Sequence, residues 1–323
     1  MKRFVIVAAA VVLSNSVELP TAPWAGLRAQ DRVSDVLAQV RSALGGDTLA
    51  AVKSLTAEGP FRRRMGQRDM EGTLVLTVVR PDNLRRSEEM TMGGAGGPTV
   101  ERVSAFNGTE AWDDVQNRGG MGGGMQMRLM GPGGPGGSGG QGGPLTPEQI
   151  EQQRIRRLKR ELQRWMVTFF AESAEPFTDA GIAESPDGRA DVLETKDEAG
   201  RAVRLFVDQV THLPVMVHYQ EVRPRVMTAG AGGPGRGRGA GGPGGQRPSE
   251  EEMQRRIEEL RKQGPPPPST FSMHLSEYKA VDGVMLPHRV DISTEGQPSE
   301  EWTIEKLEVN PSIKAQDFAK PKQ

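Results

Sequence analysis

Apolar and polar residues alternate with a period of two over most of the chain. Between Val52 and Asn310, segments of five to ten residues rich in Val, Leu, Thr and aromatics are separated by Gly, Pro, Asn or Asp. About nine to eleven such segments follow one another with few helical patterns between them. This order predicts a mainly antiparallel sheet in which successive strands pair as a meander.

Two stretches have the form of a β-hairpin. In 205–219 the residues from Asp208 to His212 favour a turn, and Pro214 removes a backbone donor where the second strand starts. In 278–292 the pair Asp282-Gly283 is suited to a tight turn. Both hairpins are expected in one sheet.

The alternation places apolar side chains on one face of this sheet, while neighbours such as Arg204, Arg289 and Asp291 face water. We predict that the apolar face contacts a ligand. The residues predicted to form it are Leu74, Leu76, Val78, Leu205, Val207, Val215, Val217, Leu286 and Val290. An apolar face of this kind must be shielded from water by other parts of the chain or by a ligand.

Three amphipathic helices are predicted. The first lies in the segment 31–46, with its apolar positions between Val33 and Leu44, and ends at Gly45-Gly46. The second begins at Thr146-Pro147 with Gln149 three residues after Thr146, which is a capping-box arrangement. The third begins at Ser249 and is stopped by Gly264 and four prolines.

Two Gly-rich inserts, 119–144 and 228–268, interrupt the body, and their composition predicts disorder. The first joins the strand around Trp112 to the second helix. The second lies between two strands that can still pair as a hairpin, because closing a long loop adds little cost. The prediction is therefore one domain over 31–322 with two inserts.

Residues 1–29 have the pattern of a secretory signal peptide: Lys2 and Arg3, an apolar run to Leu13, and a small residue, Ala29, at the end. The run is about half the roughly twenty residues that a membrane-spanning helix needs. We predict export to the periplasm without a stable membrane span. The chain has no cysteine, which excludes disulfides and thiolate metal sites.

The charge balance, 41 basic against 42 acidic residues, argues against nucleic acid as a partner. His212, His218, His274 and His288 match no familiar zinc spacing, so no metal and no cofactor are expected. The pairs Asp113-Asp114 and Glu300-Glu301 point to opposite faces of their strands, which does not suit acid–base catalysis. They are interpreted as solvated, and no enzymatic activity is predicted.

The second helix is rich in basic residues and aromatics. Its basic residues are interpreted as a solvated face, with contact to anionic lipid or a partner protein as the alternative; they are Arg156, Arg157, Lys159, Arg160 and Arg164. Its aromatic residues Trp165, Phe169 and Phe170, together with Trp112, are expected in the core rather than around a ligand.

The order of several short segments resembles the periplasmic lipoprotein-carrier and outer-membrane lipoprotein-sorting proteins, LolA/LolB-like in fold. These segments are GTLVLTVVRPDNLRR, FNGTEAWD, LFVDQVTHLPVMVHY, YKAVDGVMLPHRVDI and TIEKLEVNPSIKAQDFAKP, within about 35–321. The resemblance implies an open, curved antiparallel half-barrel whose concave apolar side is plugged by helices and can lodge acyl chains. The functional basic residue of the lipoprotein carrier is assigned to no arginine here.

Together these observations predict an α+β, mainly antiparallel β fold: a curved open half-barrel with helices over its concave face. The predicted function is an exported binding protein for a lipid or lipoprotein acyl chain. The alternative is a periplasmic protein-interaction or envelope-stress regulatory module with a filled core and an envelope protein as its partner.

Overall fold

The computed structural model describes residues 23–65, 68–91, 97, 99–118, 146–186, 188–222, 255 and 267–320. The chain divides into two units. The larger comprises 1–126, 154–221 and 269–323, and it contains every strand that is described. The smaller comprises 127–153 and 222–268 and includes the start of the long helix.

Thirteen strands of the described chain form one sheet. They are β1 (Ser54–Met65), β2 (Arg68–Val79), β3 (Asn83–Thr91), β4 (Thr99–Asn107), β5 (Ala111–Arg118), β6 (Thr178–Ser185), β7 (Gly188–Lys196), β8 (Ala202–Asp208), β9 (Pro214–Glu221), β10 (Ser269–Val281), β11 (Val284–Thr294), β12 (Gln297–Thr303) and β13 (Lys306–Val309). The order across the sheet is β5-β4-β3-β2-β1-β12-β11-β10-β9-β8-β7-β6, and β13 pairs with β1. All pairs are antiparallel, and the sheet is open and curved, as the alternation predicted.

Helices of the described chain are α1 (Pro23–Leu44), the single turn α2 (Asp47–Ala50) and α3 (Pro147–Phe170), followed near the C-terminus by a 3-10 turn (Ala315–Phe318). The predicted capping box of α3 is present: Gln149 donates its backbone N–H to Thr146 Oγ1, and Thr146 donates its own to Gln149 Oε1. Within the described residues, no helix is long and apolar enough to cross a membrane.

Several predictions fall on residues outside those described. These are the signal peptide as far as residue 22, the disorder of the two inserts, and nearly all of the predicted helix after Ser249. The structure begins α1 at Pro23, eight residues before Asp31, where the predicted helical segment begins.

Both predicted hairpins are confirmed by the strand register. Leu205 lies opposite Val217 in the first, and Lys279 lies opposite Leu286 in the second. The strands that flank the second insert also pair, with Glu221 opposite Ser269. The long insertion between them is therefore compatible with an ordinary hairpin ladder.

One face of the sheet, called here the inner face, packs against α1 and residues 154–170 of α3 in a single apolar core. Val36, Val40 and Leu44 of α1 and Leu158 and Leu162 of α3 are almost completely buried in it. The predicted fold class, an α+β half-barrel with helices on its concave face, is confirmed.

A smaller apolar cluster lies on the opposite, outer face, where Trp112 packs with Val103 and Ala105. The Trp112 indole N–H donates to the Phe318 carbonyl at 2.8 Å, and the Phe318 side chain is buried. The C-terminal segment is thereby fixed to the outer surface of β4 and β5.

Candidate functional site

The predicted ligand-contacting residues converge on the inner face. Eight of the nine, all except Val215, are at most 1% exposed and belong to the same core. Val215 lies at a register shift between β8 and β9 that places Pro214 opposite Val207. Because such a bulge inserts one residue, Val215 leaves the inner face and is only half-buried.

Helix α3 covers this face with aromatic side chains. The Trp165 ring stacks on Phe169 at 5.4 Å between centroids and meets Trp302 of β12 edge-on at 5.8 Å. The Trp302 indole Nε1 is buried and has no hydrogen-bond partner among the residues that the structure describes. The prediction that the helix aromatics belong to the core is confirmed.

Helix α1 covers the other end of the inner face. Arg32 fixes it to the sheet by ion pairs with Asp179 at 2.9 Å and Asp191 at 2.7 Å. An open cleft of about 430 Å³ lies between α1 and the segment that follows α3. Its lining includes the apolar Val33, Leu37 and Phe177 and the charged Arg41, Glu172 and Glu175.

Beneath α3 the inner face also carries a group of charged side chains beside the apolar core. Arg63 of β1 binds Glu88 of β3 with both terminal nitrogens, at 3.0 and 2.8 Å. Glu300 of β12 accepts from Arg63 at 2.8 Å and from Arg86 at 3.2 Å. Arg86 also donates to Glu88 and, across to the helix, to Glu161 at 3.0 Å. These five side chains are called here the inner ion cluster.

Contacts within the inner ion cluster shift the pKa of Glu88 and of Arg86. Burial alone would raise the pKa of the Glu88 carboxyl, but the charges of Arg86 and Arg63 hold it well below its usual range. Burial would likewise lower the pKa of the Arg86 guanidinium, yet three neighbouring carboxylates raise it. Against the effect of burial, the charge of Arg86 also lowers the pKa of the buried Glu161 carboxyl, so both of these carboxylates are held in their ionised form by their arginine neighbours.

A second group of charges ties α3 to the sheet edge. Asp113 of β5 accepts from Arg154 at 3.0 Å, from Arg157, and from the Ser104 hydroxyl at 2.6 Å. Burial would raise the pKa of Asp113, but the charge of Arg157 and these hydrogen bonds lower it. The interpretation of Asp113 and Glu300 as solvated residues is therefore wrong, because both lie on the inner face under α3.

The solvated-face interpretation of the basic helix is also wrong for most of its members. Arg164 lies 4.5 Å above the Tyr219 ring and pairs with Glu221 at 3.6 Å. Lys159 and Arg160 pair with Glu198, and Arg157 pairs with Asp113. Arg157, Arg160 and Arg164 thus point toward the sheet, where Asp113, Glu198 and Glu221 attract them.

The four histidines are dispersed. His212 occupies a turn with φ +57°, and on the outer face His218 is half-buried and His274 is exposed. His288 lies on the inner face, 7% exposed, with Nδ1 at 3.1 Å from the Leu286 carbonyl. No group of three potential metal ligands occurs among the described residues.

Sequence reasoning missed the inner ion cluster, although its signal is present in the alternation. Arg63 follows Phe61 by two residues, and Arg86 and Glu88 follow Leu84 by two and four. Each therefore has the parity of a buried apolar neighbour. Charged residues at inward positions of several strands would have indicated buried ion pairs.

Known proteins offer structural matches only. No family model and no curated protein matches the chain. The structure is similar to a domain named for outer membrane lipoprotein sorting from Vibrio parahaemolyticus, with 11% identity, coverage of 90% of this chain and 97% of that one, and a TM-score of 0.43. It is also similar to a LolA superfamily protein from Nitrosomonas europaea (9%, 89% and 97%, 0.42) and to a DUF1329 family protein from Desulfovibrio piger (9%, 89% and 97%, 0.41).

These structures include the family that the sequence resembles. Identities of about one tenth and TM-scores below 0.5 carry no conclusion about the ligand or partner of this chain.

Proposed function

We propose that the chain is an exported binding protein that holds an acyl chain of a lipid or lipoprotein on the inner face. The observation that carries the proposal is that, within the described residues, this apolar face is covered by helices and not by a second sheet. Burial of each methylene contributes roughly 0.8 kcal/mol. An acyl chain that replaced the helix side chains would therefore bind without any polar contact.

The manner in which α3 is held supports a displaceable cover. Its contacts to the sheet include ion pairs from Glu161 to Arg86 and from Arg157 to Asp113. Buried ion pairs contribute little net stability, since the desolvation of both charges offsets their attraction. Opening the helix returns these charges to water, while the apolar area that it exposes is available to a ligand.

The cleft beside α1 supplies a route to the inner face. Its volume of about 430 Å³ lies within the range of about 300–1,000 Å³ that is usual for ligand pockets. Val33 of its lining belongs to the core, and Leu37 and Phe177 pack against that core. An acyl chain could therefore pass from the cleft into the space beneath the helices without crossing the charged inner ion cluster.

Catalysis is not part of the proposal. The carboxylates of Glu88 and Asp113 are bound by arginines that depress their pKa, so neither holds a proton to donate near neutral pH. Secretion to the periplasm is proposed from the predicted signal peptide.

A second candidate is a protein-interaction or envelope-stress regulatory module. The observation that favours it is that eight of the nine predicted contact residues are already buried against the protein's own helices. In that case the interior is structural, and a protein partner binds elsewhere.

Quenching by a brominated fatty acid separates the two candidates. Trp165 and Trp302 lie on the inner face, while Trp112 lies on the outer face. A variant that retains only Trp165 and Trp302 should be quenched in a saturable manner if the chain enters the interior. A variant that retains only Trp112 is the matched control and should not respond.

Native mass spectrometry of protein isolated from the cell envelope complements this experiment. Retained lipid supports the carrier. A clean apo mass together with no saturable quenching of the inner tryptophans would overturn the carrier. Deletion of 119–143 adds a further distinction, since a carrier tolerates it whereas a module that depends on this segment loses its protein partner in a pull-down.

A further inference from the structure

Cations outnumber anions where α3 meets the edge of the sheet. Two arginines of the helix, Arg154 and Arg157, share a single carboxylate, Asp113. A third arginine, Arg102, lies on β4 two residues before Ser104, the residue whose hydroxyl also binds Asp113. Three guanidinium groups thus surround one carboxylate.

Arg102 differs from the other inward arginines in its partners. Within the described part of the chain it makes no hydrogen bond or ion pair, whereas Arg63, Arg86 and Arg164 each bind at least one glutamate. Its cross-strand neighbours are Glu88, which is already held by two other arginines, and Val115.

The electrostatic environment of Arg102 is unfavourable to its charge. Burial, followed by the neighbouring charge of Arg157, lowers the pKa of the Arg102 guanidinium, and Asp113 and Glu88 compensate only in part. The Nε–H of Arg157 is also buried without an acceptor among the described residues. An unpaired Arg157 N–H donor and an excess of positive charge therefore lie together around Asp113.

The segment that connects β5 to α3 carries no carboxylate of its own. From Val115 to Pro147, which includes the insert between β5 and α3, the sequence contains no Asp and no Glu. The buried charge of Arg102 costs stability, and the neighbouring sequence does not neutralise it. Such a charge indicates a role in binding rather than in folding.

We infer that Arg102, Arg154 and Arg157 form a binding site for a phosphate-type oxyanion, either inorganic phosphate or the phosphodiester of a lipid headgroup. Guanidinium groups suit this ligand because their planar array of N–H donors matches the oxygens of a phosphate group. The inference does not depend on the proposed acyl-chain function, since a bare anion would occupy the same site.

The test compares wild type with Arg102→Gln and with Arg62→Gln in calorimetric titrations at constant ionic strength. Arg62 is the matched control, because it lies on the exposed outer face and pairs with Glu71. One titrant is inorganic phosphate, and the other is dihexanoyl phosphatidylglycerol below its micelle concentration. We expect Arg102→Gln to weaken binding by about tenfold or more and Arg62→Gln to leave it unchanged.

Both positive outcomes support the site and differ in the source of the anion. Binding of inorganic phosphate alone indicates a free anion, and binding of the phosphodiester alone indicates a lipid headgroup. No binding of either titrant to wild type, or an equal loss in both variants, would overturn the inference.

Two further measurements make the test independent of variant folding. Arg102→Gln removes an unfavourable charge and should leave the melting temperature equal to or above that of wild type. In wild type, the arginine Nε–H NMR signals should shift saturably for a small subset of arginines on addition of the bound titrant. A uniform drift of all arginine signals would indicate non-specific screening and contradict the site.

Discussion

Glu161 of α3 accepts a hydrogen bond from Arg86 of β3 at 3.0 Å, and both side chains lie between the helix and the sheet. This contact joins α3 to strand β3, whose Arg86 also pairs with Glu88 and Glu300. Arg86 is a charged residue that points inward from its strand, and its pair with Glu161 is one of the contacts that the proposed opening of α3 would break.

Replacement of Glu161 by Gln should destabilise the protein while leaving the apolar core intact. Removal of one partner from a buried ion pair costs about 3–5 kcal/mol, and the retained Glu88 and Glu300 keep the expected loss near the lower value. Urea unfolding measures it. Glu71→Gln, which breaks the exposed pair with Arg62, is the control and should cost less than about 1 kcal/mol.

Glu161→Gln also tests whether α3 is a displaceable cover of the inner face. If α3 is displaceable, Glu161→Gln should increase the affinity for the brominated fatty acid, because less free energy is required to open the helix. A loss of stability without any gain in affinity would indicate that α3 is a fixed part of the core, as the regulatory-module candidate requires.

Acid should destabilise the fold, with Asp113 among the residues responsible. Its pKa is lowered in the folded state, so its contribution to stability is fully present above the unfolded value of about 3.9 and is lost as pH falls through the folded value. The free energy of unfolding, measured by urea titration between about pH 5 and pH 2.5, should therefore fall with decreasing pH.

Asp113→Asn should reduce this pH dependence by up to about 1.4 kcal/mol per pH unit, the amount for one proton. Asp114→Asn is the control. Asp114 is the next residue along β5, and its carboxylate accepts a hydrogen bond from the Gln116 side chain at 2.8 Å rather than from the arginines of α3. Identical slopes for the two variants would contradict the role assigned to Asp113.

The fold was predictable because period-two alternation and turn residues are local signals. The hairpin around Asp282-Gly283 is an example, since Gly283 adopts a positive φ of 81° and Val281 lies opposite Val284. Strand β6 gives a weak signal in the sequence because its residues have low strand propensity and its edge position leaves most of its side chains exposed. It also contains Gly181, with φ +95° at a register shift, which breaks the alternation.

The charged part of the interior was less predictable because ion pairs depend on which strands become neighbours. Arg63 and Glu300 are 237 residues apart in sequence and meet only because β1 pairs with β12. The alternation within one strand shows that each residue points inward. It does not show which residue of opposite charge lies opposite it on a neighbouring strand. The position of Val215 depends in the same way on a bulge that is set by the β8–β9 register.

Leu205→Ala and Val215→Ala should differ in their effect on stability. Leu205 is fully buried between the sheet and its helices, and removal of such a side chain costs about 2–5 kcal/mol. Val215 lies at the bulge and is half-buried, so its replacement should cost less than about 1.5 kcal/mol. Thermal and urea unfolding measure both. Equal losses would mean that Val215 belongs to the inner face, as its sequence parity first indicated.

Phe318→Ala should release the C-terminal segment from the outer face without opening the interior. Phe318 is 3% exposed, and its carbonyl accepts from the Trp112 indole at 2.8 Å. Truncation of a buried phenylalanine costs about 3–5 kcal/mol when the cavity cannot collapse. Because a terminal segment can detach, we expect a loss of stability near or below the lower value.

The Trp112 indole N–H NMR signal should move and exchange faster with solvent, while those of Trp165 and Trp302 stay in place. Gln316→Ala, at an exposed position of the same 3-10 turn, is the control. A simultaneous change in all three indole signals would contradict the separation of the outer cluster from the inner core, because it would mean that the two apolar clusters unfold as one unit.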